Sequence, residues 1–134
     1  WQDLTLPYDI GLYASGTMQP NGTNLSGMLL TRDVFIDSLA THTAYAMVAP
    51  TNTANYQIIR VVTAFASETV IGNVSFAPGS NIGTVSIPDT NLIQGDIVLL
   101  RVDTPTVDPT IKDVFVTLTG CAIASLCNYS SWLT

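Results

Sequence analysis

Asp37, Ser38 and His42 fall within six positions of one another. These are the residue types a nucleophilic hydrolase combines: a hydroxyl, a base, and an acid that orients the base. His42 is the sole histidine, and the surrounding IDSLATHTAY holds neither a Gly-x-Ser-x-Gly elbow nor another nucleophile frame, so no serine hydrolase is expected. Cys121 and Cys127 lack the electropositive or helix-terminal setting that lowers a thiol pKa. A single His with two Cys does not make a transition-metal cluster. Asp103 and Asp108 share VDTPTVDPT with carbonyl-rich neighbours, oxygen donors of the kind calcium takes. Without an EF-hand pattern or an acidic repeat, the segment reads as a solvated loop. Most of the other acids stand beside turns, where Asp caps its own backbone, so no glycosidase-like carboxylate pair is expected. Gly72, Gly79, Gly83 and Gly95 open no helix and read as turns and bulges rather than a phosphate cradle. The expectation is a protein that is not an enzyme and takes no cofactor.

Composition narrows the partners. The 134 residues fit one domain, and 47% are hydrophobic while only 10% are charged, against roughly 25% in ordinary domains. A small fold cannot hide that much apolar surface alone, so subunit contacts are expected. The net charge is -6, and the four bases Arg32, Arg60, Arg101 and Lys112 are scattered. Phosphate neutralisation needs basic residues concentrated on one face, so neither nucleic acid nor an anionic membrane is an expected partner. No apolar run approaches the roughly 20 residues of a membrane span, so no membrane insertion is expected. The opening WQDLTLPYD lacks the basic start and apolar segment of a signal peptide. A chain starting at Trp1 reads as a cleaved product or as the ordered part of something longer.

The two cysteines read as reduced, mostly buried thiols. The alternative is a Cys121–Cys127 disulfide, which needs the intervening residues to turn back. Asn-x-Ser/Thr sequons occur at Asn21, Asn24, Asn73 and Asn128, a number that chance supplies in so Ser- and Thr-rich a chain. Trp1 and Trp132 stand near the ends, where they suit anchoring better than a sugar subsite.

Short runs rich in Val, Ile, Thr, Tyr and Phe, broken by Gly, Pro and Asn, predict strands over 8–15, 28–36, 44–48, 56–65, 68–76, 82–87, 96–102 and 112–121. Eight such strands predict an all-β fold, a single antiparallel β-sandwich of jelly-roll kind. Residues 16–27, GTMQPNGTNLSG, read as the longest loop. With 103–110 it offers the candidate recognition residues Pro20, Asn21, Asn24, Asp103 and Asp108.

Within the strands, Val114, Val116 and Leu118 share one face, and Phe115 lies on the other, where it covers an edge or meets a neighbouring subunit. The run IVLLRV, continuously apolar apart from Arg101, predicts cover on both faces and so packing between subunits. The hexamer IGNVSF returns as IGTVSI, which predicts a hairpin around APGSN with Val74, Phe76, Val85 and Ile87 toward the core. Asn73, Ser75, Thr84 and Ser86 then face outward.

In order, DLTLPYDIGLYASGTMQPNG, MLLTRDVFI, YQIIRVV, IGNVSFAPGSNIGTVSI and IQGDIVLLRVDTPTVDPTIKDVFVTLTG resemble a domain of tail-fibre and other virion proteins of tailed bacteriophages. The likeness runs from Asp3 to Gly120 and implies a small β-sandwich in homotrimeric virion parts, without catalytic residues. It implies that Gly95 and Asp96 form the turn into the apolar strand, and that Asp108 and Thr110 shape the loop before the last strand. Residues 121–134 extend past the family's usual ending and read as a tether to a subunit or to the virion, beyond a domain over 1–120. The resemblance implies a virion location and three kinds of partner: copies of itself, other virion proteins, and a bacterial surface glycan. Two other readings stand beside a tail fibre or spike. One is a capsid decoration or cement protein. The other is a carbohydrate-binding module using Tyr8, Tyr13, Tyr45 or Tyr56.

Overall fold

The computed structural model describes residues 6–64 and 66–122, and every regular element among them is a strand. The first half holds β1 (Leu6–Pro7), β2 (Ile10–Thr17), β3 (Asn24–Leu29), β4 (Val34–Ile36), β5 (Thr43–Val48) and β6 (Ala54–Val62). The second half holds β7 (Ser67–Phe76), β8 (Ile82–Ser86), β9 (Thr90–Leu92), β10 (Ile97–Val102), β11 (Lys112–Leu118) and β12 (Gly120–Ala122). The eight long strands form one antiparallel sheet in the order β2-β11-β5-β8-β7-β6-β10-β3, and the four short ones form a second, β1-β12-β4-β9.

The large sheet changes layer at β8. Ile82 and Gly83 pair with Tyr45 and Ala44 of β5, while Thr84, Val85 and Ser86 pair with Ser75, Val74 and Asn73 of β7. Leu12, Ala44, Ala46 and Val116 from one layer meet Tyr56, Ile58, Val74, Val98 and Leu100 from the other in a single core cluster. The edge strands β2 and β3 approach one another, with the Tyr13 amide donating to Ser26 Oγ at 3.2 Å. The result is the expected all-β sandwich, rolled nearly into a barrel. Strict alternation drives it, because a strand residue one step out of phase would move from core to solvent.

The hairpin follows the expected register. Asn73 faces Ser86, Val74 faces Val85 and Ser75 faces Thr84, with Val74 and Phe76 fully buried. Its turn closes through the Ser80 amide on the Ala77 carbonyl at 3.1 Å. Gly79 takes φ +74°, as the third residue of a Pro-Gly type II turn must. The repeated Ile-Gly steps have a packing cause. A Cβ on Gly72 would stand 2.9 Å from the Ser86 carbonyl oxygen, and one on Gly83 would stand 2.9 Å from the Phe76 ring.

Several boundaries differ from expectation. The predicted strand 28–36 is two, because the chain leaves the large sheet at Leu30 and enters the small one at Val34. The predicted loop 16–27 shrinks to 18–23, since β2 runs to Thr17 and β3 begins at Asn24. The polar sequence NLSG is tolerated in β3 because that strand sits at a sheet edge. Its Gly27 leaves room for Leu99, whose Cδ2 would lie 2.6 Å from a Cβ there. The last predicted strand breaks at Thr119, and Cys121 and Ala122 belong to β12, paired with β1 and β4 rather than lying past the domain. Cys121 is exposed, not buried. Cys127, with the disulfide proposed for it, lies outside the described residues, as do Trp1, Trp132, Asn128 and Phe65. Of IVLLRV, Val98, Leu100 and Val102 enter the core, while Ile97 and Leu99 are half-exposed on the outer face of the single chain.

Gly83→Ala should cost about 2 kcal/mol, because the new methyl meets an aromatic ring held in the core. Gly79→Ala should cost about 1 kcal/mol, from backbone conformation alone. Denaturant midpoints that reverse this order would contradict the packing of the hairpin on Phe76.

Candidate functional site

Connecting loops gather at one end of the sandwich, and backbone bonds weld them together. The 18–23 loop turns through the Thr23 amide on the Pro20 carbonyl at 3.1 Å. It then exchanges bonds with the end of β10: the Gly22 amide donates to the Val102 carbonyl at 2.9 Å, and the Val102 amide to the Thr23 carbonyl at 3.0 Å. Beyond β10, the Asp103 amide donates to the Asn55 carbonyl at 2.9 Å. Thr104 Oγ1 donates to the same carbonyl at 2.9 Å and accepts from the Asn55 amide at 2.8 Å. The Gly79 amide reaches the Pro50 carbonyl at 2.8 Å and brings in the hairpin turn.

Asp108 is the hub. It is 1% exposed, and its carboxylate accepts four backbone amides. Oδ2 takes Thr51 at 3.1 Å and Asn52 at 2.7 Å; Oδ1 takes Thr110 at 2.9 Å and Ile111 at 3.0 Å. The Thr51 and Thr110 hydroxyls meet at 2.6 Å above it. Burial works against the charged carboxylate, but the four amides outweigh it and hold the Asp108 pKa below the usual value. The expectation that Asp108 is a solvated recognition residue is therefore corrected, because its oxygens are consumed inside the fold. The same saturation removes it as a calcium ligand. Among the described residues no cluster of His, Cys, Asp and Glu could hold a metal ion.

Of the other expected recognition residues, Pro20 and Asn21 are exposed on the 18–23 loop and Asp103 is half-exposed at this pole. Asn24 is corrected to a place in β3, where its Oδ1 accepts from Arg101 Nε at 2.7 Å. What the pole offers to solvent is mainly uncharged: Pro20, Asn21, Thr51, Asn52 and Thr110. Sequence reasoning missed the contribution of 49–53, although the threonines and asparagine of PTNT resemble those of the other loops.

The hydrolase set fails geometrically. His42 Nδ1 accepts from the Thr119 amide at 3.0 Å, which places the proton on Nε2, the atom that donates to the Asp37 carbonyl at 2.9 Å. Both ring nitrogens are thus occupied by backbone. The Ser38 amide donates to Asp89 Oδ1 at 2.7 Å, a bond that lowers the Asp89 pKa. Asp37 Oδ1 caps the Leu39 amide at 2.8 Å. The three residues tie a turn.

The tyrosines divide. Tyr56 is buried, with its ring edge-on to Phe76 at 6.1 Å, so it is corrected from sugar-binding candidate to core residue. Burial and, after it, the nearby Asp108 charge raise its hydroxyl pKa. The Tyr8 hydroxyl accepts from the Thr31 amide at 3.1 Å and contacts Thr31 Oγ1 at 3.0 Å. Tyr13 and Tyr45 flank Phe115 on the outer face of β2-β11-β5. Tyr13 and Phe115 stack on one another at 4.5 Å, so part of the ring surface a sugar would use is already covered. No protein-family model matches this chain, and no curated protein matches it.

Asp108→Ala should lower stability by about 3 kcal/mol, since it orphans buried amides. The folded pKa of Asp108 lies below the unfolded carboxylate value of about 3.9. Its stabilisation is therefore complete above that value and drains away as pH falls through the folded pKa. Acid titration of the folded fraction should show a shallower loss below pH ~4 in Asp108→Asn than in the parent. Parallel curves would contradict the role given to this carboxylate.

Proposed function

We propose that this chain is a non-enzymatic structural protein of a bacteriophage virion, a homotrimer that serves in a tail fibre or spike and presents its loops to the bacterial surface. The observation that carries this reading is the loop pole. Loops from distant parts of the chain are held by fixed backbone bonds around Asp108, on a rigid β scaffold, and turn uncharged hydrogen-bonding groups outward. That arrangement suits recognition of a neutral, hydroxyl-rich surface such as a glycan, because polar groups fixed beforehand lose little entropy on binding.

The virion resemblance draws support from the roles of its residues. Gly95 has φ +92° at the entry to β10. Beside it, buried Asp96 accepts from the Ile93 amide at 2.9 Å and pairs with Arg60 Nε at 2.8 Å. The Asp108-Thr110 step shapes the loop before β11. A carbohydrate-binding module remains the reading from another class, favoured by the exposure of Tyr13 and Tyr45 on one face. A decoration protein of the capsid differs from a fibre in position alone.

Purified protein should compete with the parent phage for adsorption, and replacing Pro20 and Asn21 by Gly and Ser should weaken that competition several-fold. Unchanged competition by the variant would remove the 18–23 loop from the attachment surface. A labelled antibody should mark tails in micrographs; marking of heads would select the decoration role. A glycan-array signal lost in Tyr45→Ala, with the pole variant unaffected, would favour the carbohydrate-binding module.

A further inference from the structure

The sequence treats the two outer faces of the sandwich differently. On the β7-β6-β10-β3 side, Ile59 is absent from the core cluster yet only 1% exposed. It lies in one row with Val70 of β7 and Leu99 of β10. Glu68, two residues before Val70, and Arg101, two residues after Leu99, share this face and join in an ion pair. Asn24 fixes the same guanidinium from the side. This face also exposes Val70 at 49% and Leu29 at 60%, with the Glu68–Arg101 pair set among them.

The β2-β11-β5-β8 side carries one acid, Asp113, two residues before Phe115 on β11, and its Oδ1 accepts from the Gly16 amide at 2.7 Å. Tyr13, Phe115, Tyr45 and Ile82 are successive cross-strand partners and make one uncharged row over four strands. Met47 lies two residues along from Tyr45 and faces the same way. These five side chains are between 42% and 72% exposed. With whole side chains of about 150–250 Å², they leave roughly 500 Å² of apolar surface open. That is near the upper end of what a monomer shows, and it matches the apolar share of one side of a standard interface of roughly 800 Å² per partner. The stack of Tyr13 on Phe115 restrains both rings before any partner arrives, which lowers the ordering cost of association.

We infer that this face is an interface between copies of the chain, and that each copy in a cyclic trimer buries it against a neighbour. The inference rests on the self-assembly part of the function proposed above and is independent of where in a virion the trimer sits. A charged partner would bury its charge against the rings, and the one acid beside them, Asp113, is already bonded to the Gly16 amide. The occupant must bring uncharged, apolar surface of similar extent, and a chain with 10% charged residues supplies that itself.

The test is native mass measurement at micromolar concentration, on the full chain, with circular dichroism to verify folding. The parent should give three times 14.3 kDa. Tyr45→Glu and Ile82→Lys should each give the monomer mass with an unchanged strand spectrum. Ile82, at the exposed start of β8, is the safer of the two for folding. Leu39→Lys changes an equally apolar residue that is 91% exposed in the turn after β4, and it should stay trimeric. A folded Ile82→Lys and a folded Tyr45→Glu that both remain trimeric would overturn this assignment of the face while leaving assembly itself standing. A monomeric parent would overturn both.

Discussion

The joining of the 49–53 loop to the loop before β11 depends on a single buried carboxylate. Asp108 receives four amides from two segments more than fifty residues apart in sequence, Thr51-Asn52 and Thr110-Ile111. A buried charge is costly unless its lone pairs are filled, and here every one is. The same bonds satisfy amides that would otherwise be orphaned where the chain leaves the sheets. Loops that would drift if solvated are thereby held close to the precision of the strands beneath them. Asp96 does the equivalent at the entry to β10, where Arg60 and the Ile93 amide share its carboxylate. Acids that looked like possible chemistry are structural knots.

This spending of polar groups inside the fold leaves an unusual exterior. With few charges available, the chain places an ion pair, Arg101 with Glu68, among apolar side chains on one outer face, and on the other sets a single acid, Asp113, beside a row of rings. The mainly uncharged pole and the aromatic face lie on one β scaffold, so assembly through the face would multiply the pole without deforming it. Repeated weak contacts on one scaffold raise overall avidity well beyond that of any single site.

Much of the fold was legible because alternation carries it. Val114, Val116 and Leu118 against Phe115 fixed the phase of β11, and the twin hexamers set the hairpin register, since a one-residue slip would bury Asn73 and expose Val74. β1 and β9 were missed, and β4 and β12 were merged into the predicted strands 28–36 and 112–121, because strands of two or three residues are too short to show a period. They are held by pairing with distant segments, as Gly120 with Ile36 and Val34 with Leu92. β3 was hidden because an edge strand needs little apolar sequence. In the candidate site, loop identity was readable from Pro and Gly. The burial of Asp108 was not, because it depends on amides from 49–53 that only the folded chain brings near. Tyr56 and Tyr13 look alike in sequence and differ only in which face of their strand the register assigns them.

The central claim is that the aromatic row on the outer face of β2-β11-β5-β8 is covered in the native assembly by another copy of the chain. An electron-microscopy map of the intact assembly, at a resolution that shows aromatic side chains, tests it most directly. The account predicts Tyr13, Phe115 and Tyr45 buried between copies, with the 18–23 and 103–110 loops free at the surface. A map with these rings in open solvent, or with the loops enclosed between copies, would contradict it.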